Sequence, residues 1–279
     1  MFEAELHCHT NYSKGTKLIH EGLNTPEQMV KQANRIGLSI MAVTDHNKIK
    51  GALEAKKYAK KYNVLVIPSE EVSTKDGHMV ALGIQELIPP GLSLEESVDL
   101  VKQQGGVAIA AHPFDFRSEG VGDLAIKCDA VEVFNAFNIE RVANNKCLGF
   151  VEKHNLPYVA GSDAHSIYML GFGRTIFKKN DIDSVIKSIK KGNVTIKNDY
   201  IPVRLVVEWI ISRFKLSYSS VIKYMNENYS YPKRYVCRRL LSLVEKSPGN
   251  IDYIFKMMAY FSLGSVFLYS YARNIIGIR

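Results

Sequence analysis

From residue 2 to about residue 177, short apolar runs alternate with stretches patterned like helices. The runs at 4–6, 39–43, 64–67, 79–82, 107–110, 130–134 and 158–160 predict seven strands. Two intervening helices have legible starts. Thr25-Pro26-Glu27 places proline near a first helical position, and Ser93-Leu94-Glu95-Glu96 reads as a reciprocal cap closed off by Gly105-Gly106. Strand–helix alternation predicts a parallel sheet with crossover helices. Seven strands in about 180 residues suit a closed or nearly closed barrel, and the pattern alone also fits an open doubly wound sheet. After about residue 198 the pattern becomes helical throughout, with segments at 203–215, 219–228, 233–246 and 252–276 and breaks at 226–232 and 247–250.

Six of the eight histidines fall beside the predicted strands: His7, His9, His46, His112 and His165 just after one, and His78 at the start of one. Acids share these places: Asp45 beside His46, Glu70 and Glu71 after the third strand, and Asp163 before His165. A single buried histidine is usually a hydrogen-bonded core residue. Six in series at strand ends predict one small volume at the mouth of a barrel, where side chains from many strands converge. His7 and His9 share a strand face while Cys8 points away, so His-x-His is a chelating pair and Cys8 is not a ligand; Asp163 and His165 pair in the same way. Imidazoles mixed with carboxylates suit Zn²⁺, Mn²⁺ or Fe²⁺ better than Mg²⁺ alone. The donors outnumber the needs of one tetrahedral ion, which predicts two or three. His20 and His154 lie outside the pattern and read as surface or loop residues.

Composition changes the picture in one respect. The 279 residues are 46% hydrophobic and 23% charged, ordinary values that argue against disorder or coiled coil. Residues 1–199 carry 24 basic and 24 acidic residues, whereas 200–279 carry 12 and 4, so the whole net charge of +8 lies in the tail. The expected organisation is a neutral barrel over 1–197 and a basic helical extension over 198–279. Four scattered cysteines and an N-terminus without an apolar stretch lead to a cytoplasmic expectation.

Seven ordered segments resemble the PHP (polymerase and histidinol phosphatase) family: LHCHTNYSKG, AVTDHN, IPSEEVS, GHMVALG, AAHPF, AVEVFNA and GSDAH, followed by LGFGRT, over about residues 3–195. The resemblance implies an α/β fold, a distorted (β/α)7 TIM-like barrel, with a site for two or three divalent ions (Zn, Mn, Fe or Mg). The implied ligands are His7, His9, His46, Glu71, His78, His112, Asp163 and His165. Glu71, rather than Glu70, would bridge two ions, and Asp45 would orient a ligand. One departure stands out. Where the family pattern has Ser-Asp-Gly, this chain has Ser13-Lys14-Gly15, which puts the third ion in question, because an ammonium is not a ligand. Glu5 replaces the usual aspartate before the first motif.

The expected activity is hydrolysis of a phosphate ester, on a small phosphorylated metabolite or a nucleotide, by a metal-activated hydroxide in line with the leaving group. Glu71, Asp163 and His165 would carry the reaction. Arg174, with Lys14 second, would hold the substrate phosphate, the plain alternative for Arg174 being a surface ion pair. Two other readings are a 5′–3′ exonuclease on RNA or single-stranded DNA, held in part by the basic tail, and a degenerate non-catalytic module. Residues 257–272 are free of charge and apolar on all sides, yet shorter than a membrane span and interrupted by serines and glycine. They are expected to be buried in a helical domain, with attachment to an anionic membrane surface as the lesser alternative. Since all implied ligands precede residue 198, residues 1–197 are expected to hold metal by themselves.

Overall fold

The computed structural model describes residues 1–15, 18–242 and 251–276. Nine strands form one sheet: β1 (Phe2–Glu5), β2 (Ile40–Val43), β3 (Leu65–Ser73), β4 (His78–Leu82), β5 (Val107–Ala110), β6 (Ala130–Asn135), β7 (Tyr158–Gly161), β8 (Gly173–Phe177) and β9 (Thr195–Asn198). Their order is β7-β6-β5-β4-β3-β2-β1-β8-β9. The seven predicted strands are all present, as β1 to β7. Pairing is parallel within β1–β2–β3 and within β5–β6–β7, but β4 runs antiparallel to both β3 and β5, and β8 and β9 are antiparallel additions. Of the two extra strands, β9 is weakly patterned because it is largely exposed and needs no apolar face.

The barrel closes through side chains as well as backbone. On β8, Thr175 Oγ1 accepts from Ala160 N of β7 and donates to Ala160 O, each at 2.9 Å, and Ser162 Oγ accepts from Gly173 N at 2.9 Å. Gly173 lies directly on the Gly161 backbone, where a Cβ would collide. Leu6, Ile40, Ile67, Leu82, Ile109 and Phe177 fill the inner core. Helix α6 (Ile182–Lys190) adds Val185 and Ile189 to that core.

Helices α1 (Pro26–Arg35), α2 (Lys50–Lys56), α3 (Ala59–Tyr62), α4 (Leu94–Gln103) and α5 (Val142–His154) complete the barrel. Both predicted starts are real. Thr25 caps α1 and Ser93 caps α4, each in a capping box with Gln28 or Glu96, each cap worth about 1 kcal/mol. The extension comprises α7 (Val203–Leu216), α8 (Tyr218–Asn228), α9 (Lys233–Ser242) and α10 (Ile251–Ile276). The predicted break at 247–250 lies outside the described residues. Ile201, Val206 and Trp209 are buried in the same apolar core as the outer face of the barrel, so α7 is continuous with it. Helix α10 lies against α7 and α5. Its Phe261 and Leu268 are nevertheless 79% and 74% exposed, so the run expected to be buried all round is covered on one side only. Among the described residues, no helix is long and apolar enough to cross a membrane.

Candidate metal centre

The antiparallel sense of β4 explains why His78 starts a strand while the other histidines follow one. Reversal brings the start of β4 to the face where β1, β2, β5 and β7 end. Glu71, on β3, lies buried at the centre of this face. Its Oε1 is 3.0 Å from both His78 Nδ1 and His112 Nε2. Its Oε2 is 3.0 Å from His46 Nδ1 and 3.4 Å from both His7 Nε2 and His9 Nε2. Asp163 Oδ1 lies 3.0 Å from His9 Nε2, 3.6 Å from His165 Nδ1 and 3.7 Å from His7 Nε2. Four overlapping trios have donor atoms within 4.8 Å of one another: His7, Glu71 and His112; His46, Glu71 and His78; His7, His9 and Asp163; and His9, His46 and His165. The eight sequence-predicted ligands therefore converge. Adjacent strand positions face opposite ways, and Glu70 accordingly turns from the cluster to accept from Ile88 N at 2.5 Å. Cys8 also points away, its thiol donating to Ala42 O.

Hydrogen bonds fix which ring nitrogens face inward. His7 Nδ1–H donates to Glu132 Oε1 at 3.0 Å, leaving Nε2 buried, aimed at Glu71 and without a hydrogen-bond partner. Ser13 Oγ donates to Asp45 and so accepts from His9 Nδ1–H, which leaves His9 Nε2 as a lone pair. His165 Nδ1–H donates to Asp163 O at 2.8 Å, freeing Nε2. His112 and Asp163 hold these positions at φ of 28° and 52°, a backbone region that non-glycine residues seldom occupy.

The electrostatics fit a bound cation. Burial alone would push Glu71 and Asp163 up, yet the facing imidazoles hold both carboxyls well below the carboxylate range. Burial drives His46 down to about 3 and His165 far below its ordinary value, so both are neutral donors. Burial also opposes charge on His7, His9 and His112, but the carboxylates outweigh it and raise all three, His112 to about 9. A cluster that draws protons onto buried imidazoles has excess negative charge at its centre. Divalent ions on the same atoms would neutralise it and displace those protons.

Other residues complete or correct the sequence expectations. Asp45 reaches His9 through Ser13, and its oxygens accept from Thr10 N at 2.6 Å and Thr10 Oγ1 at 2.7 Å. Glu132, assigned no role from sequence, orients His7 and accepts from His112 N at 2.9 Å; its signal was a lone acid inside an apolar strand. Arg174 does not face the cluster. It pairs with Glu3 and donates to Gly171 O, the plain ion-pair alternative. A cation that does stand beside the cluster is Arg117, whose Nη2 is 3.9 Å from Asp163 Oδ2 while its Nε pairs with Glu119 and Asp115. Lys14 is exposed on the wall of a separate cavity of about 680 Å³, which none of the eight candidate ligands lines. Glu21 stands on the same side of the cluster, with Oε2 3.6 Å from His46 Nε2 and Oε1 4.0 Å from His165 Nε2. Glu21-Gly22 shortly before the α1 cap was the available signal. Gly22 is required because a Cβ there would strike the Thr10 carbonyl.

Known proteins resemble this chain in sequence and in fold. A PHP-associated family model matches residues 141–194. An uncharacterized protein of Methanocaldococcus jannaschii is 40% identical over 164 residues, spanning 57% of this chain and 95% of that protein. Among solved structures, a Bacteroides vulgatus two-domain protein containing a predicted PHP-like metal-dependent phosphoesterase superposes with a TM-score of 0.58 at 16% identity, over 71% of this chain and 64% of the other. PsfC of Pseudomonas syringae superposes with a TM-score of 0.59 at 19% identity, over 77% of this chain and 98% of the other. Those two likenesses are of fold. The near-complete archaeal relative and the matched family segment carry the further step, and the chain belongs to the PHP family.

Proposed function

We propose that this chain hydrolyses phosphate esters with the help of divalent ions held by His7, His9, His46, Glu71, His78, His112, Asp163 and His165. The observation that carries the reading is Glu71, whose two oxygens meet five imidazoles from different segments at 3.0–3.4 Å. Bound ions there supply charge neutralisation and acidify water. The protein's own part is positional. Glu132, the Asp45–Ser13 pair and the Asp163 carbonyl hold His7, His9 and His165 in the tautomers that present lone pairs. Glu71 would bridge two sites, because it belongs to two of the trios, one with His7 and His112 and one with His46 and His78. Arg117 takes the role of holding the substrate phosphate: its guanidinium lies beside Asp163 and over the Phe137 ring, at the edge of the cluster.

A small phosphorylated metabolite or a nucleotide is the first substrate class. A second reading, removal of nucleotides from the 5′ end of RNA or single-stranded DNA, is favoured by a cavity lined by residues that follow the His9 and His46 segments in the chain. Lys14, Lys48 and Lys50 line it together with Tyr12 and Tyr58, cations for a second phosphate and rings for a base. The test is turnover of a phosphate-monoester and oligonucleotide panel with Mn²⁺ present and after chelation. Chelator-sensitive release of phosphate supports the first reading. Release of mononucleotides with steep salt dependence supports the second, and turnover that survives complete metal removal refutes both.

A further inference from the structure

Among the described residues, the C-terminal extension reaches the candidate metal centre through α7. Residues 18–22, which carry Glu21, form no helix or strand, and their polar backbone groups are satisfied largely by α7 and the residue after it. Trp209 Nε1 donates to Glu21 O at 2.9 Å. Arg213 Nε donates to His20 O at 2.9 Å and its Nη2 to Leu18 O at 3.2 Å. Ser217 Oγ accepts from His20 N at 3.2 Å. Arg213 Nη2 also stands 3.7 Å from Glu21 Oε1. The Trp209 ring lies 4.9 Å from the His165 ring and meets Phe137 edge-on at 5.4 Å, while the Arg213 guanidinium covers its other side at 5.2 Å. On the barrel side the loop is pinned just downstream, by Leu23 N donating to His165 O at 2.9 Å.

We propose that α7 is part of the metal centre, with Trp209 and Arg213 as positioning residues that set Glu21 against His46 and His165 and thereby govern the outermost ion. The proposal rests on the divalent-metal reading above. The argument is one of constraint. A glutamate side chain on an irregular loop has many rotamers, and holding it near two imidazoles has an entropic cost that fixed neighbours reduce. The planar fork of Arg213 supplies two parallel constraints on the loop backbone and a counter-charge to the carboxylate, which a lysine would not reproduce. The Trp209 ring holds His165 and the loop together. Partners of this kind are worth 10- to 100-fold in metal affinity. Ions held around Glu71 draw on strand-borne ligands that make no such bond with α7.

The experiment uses the full chain and Mn²⁺ alone, with bound metal counted after equilibrium dialysis over a range of concentrations. Trp209 is the sole tryptophan of the sequence, so its fluorescence reports on the outer site directly. In the unsubstituted protein, the weakest binding step should be the one that quenches Trp209. Arg213→Gln should weaken that step 10- to 100-fold and leave tighter steps unchanged, with Arg213→Lys in between. Trp209→Phe, which keeps an aromatic ring but loses the bond to Glu21, should weaken the same step and serves if Arg213→Gln fails to fold. An unchanged isotherm in the folded variants, or an equal loss at every step, overturns the proposal. Unsubstituted protein that takes up no Mn²⁺ at all overturns the metal reading as well, a result that cannot be confused with the other two.

Discussion

Around Glu71, the imidazoles come from positions tied to strands or their ends: His7 and His9 beyond β1, His46 beyond β2, His78 at the head of β4 and His112 beyond β5. Around Glu21, the carboxylate comes from an irregular loop, and much of what fixes that loop lies nearly two hundred residues away on α7. Both halves set a glutamate against histidines, with Asp163 between them against His7, His9 and His165. They differ in what holds the acid still. A carboxylate built into a paired strand is positioned by the fold itself, whereas one on a loop needs partners from a second element. The first half should therefore be resistant to surface change and the second adjustable.

The largest effect should follow Glu71→Gln. Removing the charge on which five imidazoles converge should abolish tight metal binding and lower turnover at least about a thousandfold, with the circular dichroism spectrum unchanged. Glu132→Ala should come next. It frees His7 to change tautomer and ring orientation, and metal affinity measured by competition with a chelator should fall 10- to 100-fold. If Glu132→Ala weakened metal no more than a surface substitution does, the strand-built half would owe nothing to its supporting bonds.

Glu70 sharpens the contrast with its neighbour. Burial pushes its carboxyl up to about 7, with Oε2 lacking a hydrogen-bond partner. A raised pKa means that the folded state holds the proton more tightly. The resulting stability is fully present below about pH 4.5 and is lost as pH rises through 7. Glu70→Gln should remove this dependence. The stability of the variant relative to the unsubstituted protein should rise between those pH values by on the order of 3 kcal/mol in denaturant titrations. A constant difference across that range would mean that Glu70 is ionised throughout.

Smaller effects are expected at the two residues first assigned to substrate phosphate. Arg174→Ala should cost about 1 kcal/mol of stability through its partly exposed pair with Glu3 and leave KM unchanged. If Glu21 serves the outermost ion as proposed, Lys14→Asp should leave the metal count unchanged and alter KM by no more than a few-fold. An additional ion bound by Lys14→Asp would return the vacancy to position 14.

Sequence reading succeeded where local rules apply. Strand alternation separated Cys8 from His7 and His9, and strand-end placement gathered six histidines without knowledge of pairing. It did not reveal that β4 runs backwards, since strand direction is a property of partners rather than of residues. Glu132 was hidden because an acid among valines signals burial but not its target. Arg174 was misplaced because a cation close in sequence to a site can project from the other face of a strand. Trp209 and Arg213 gave no signal, because a helix docking across the chain obeys no spacing rule. If α7 governs the outermost ion as proposed, residues 1–197 alone should hold only the ions around Glu71. Removal of residues 198–279 also uncovers the core that Ile201, Val206 and Trp209 help fill.

The central claim is that Glu71 and its ring of imidazoles bind divalent ions which the chain uses to open phosphate esters. Its most direct test is elemental analysis of the purified full chain, paired with phosphate-ester turnover before chelation, after chelation and after Mn²⁺ return. The account predicts at least two ions per chain, activity lost with them, and activity regained on restoring Mn²⁺. A chain that carries no metal and gains no turnover when supplied with it would contradict the account.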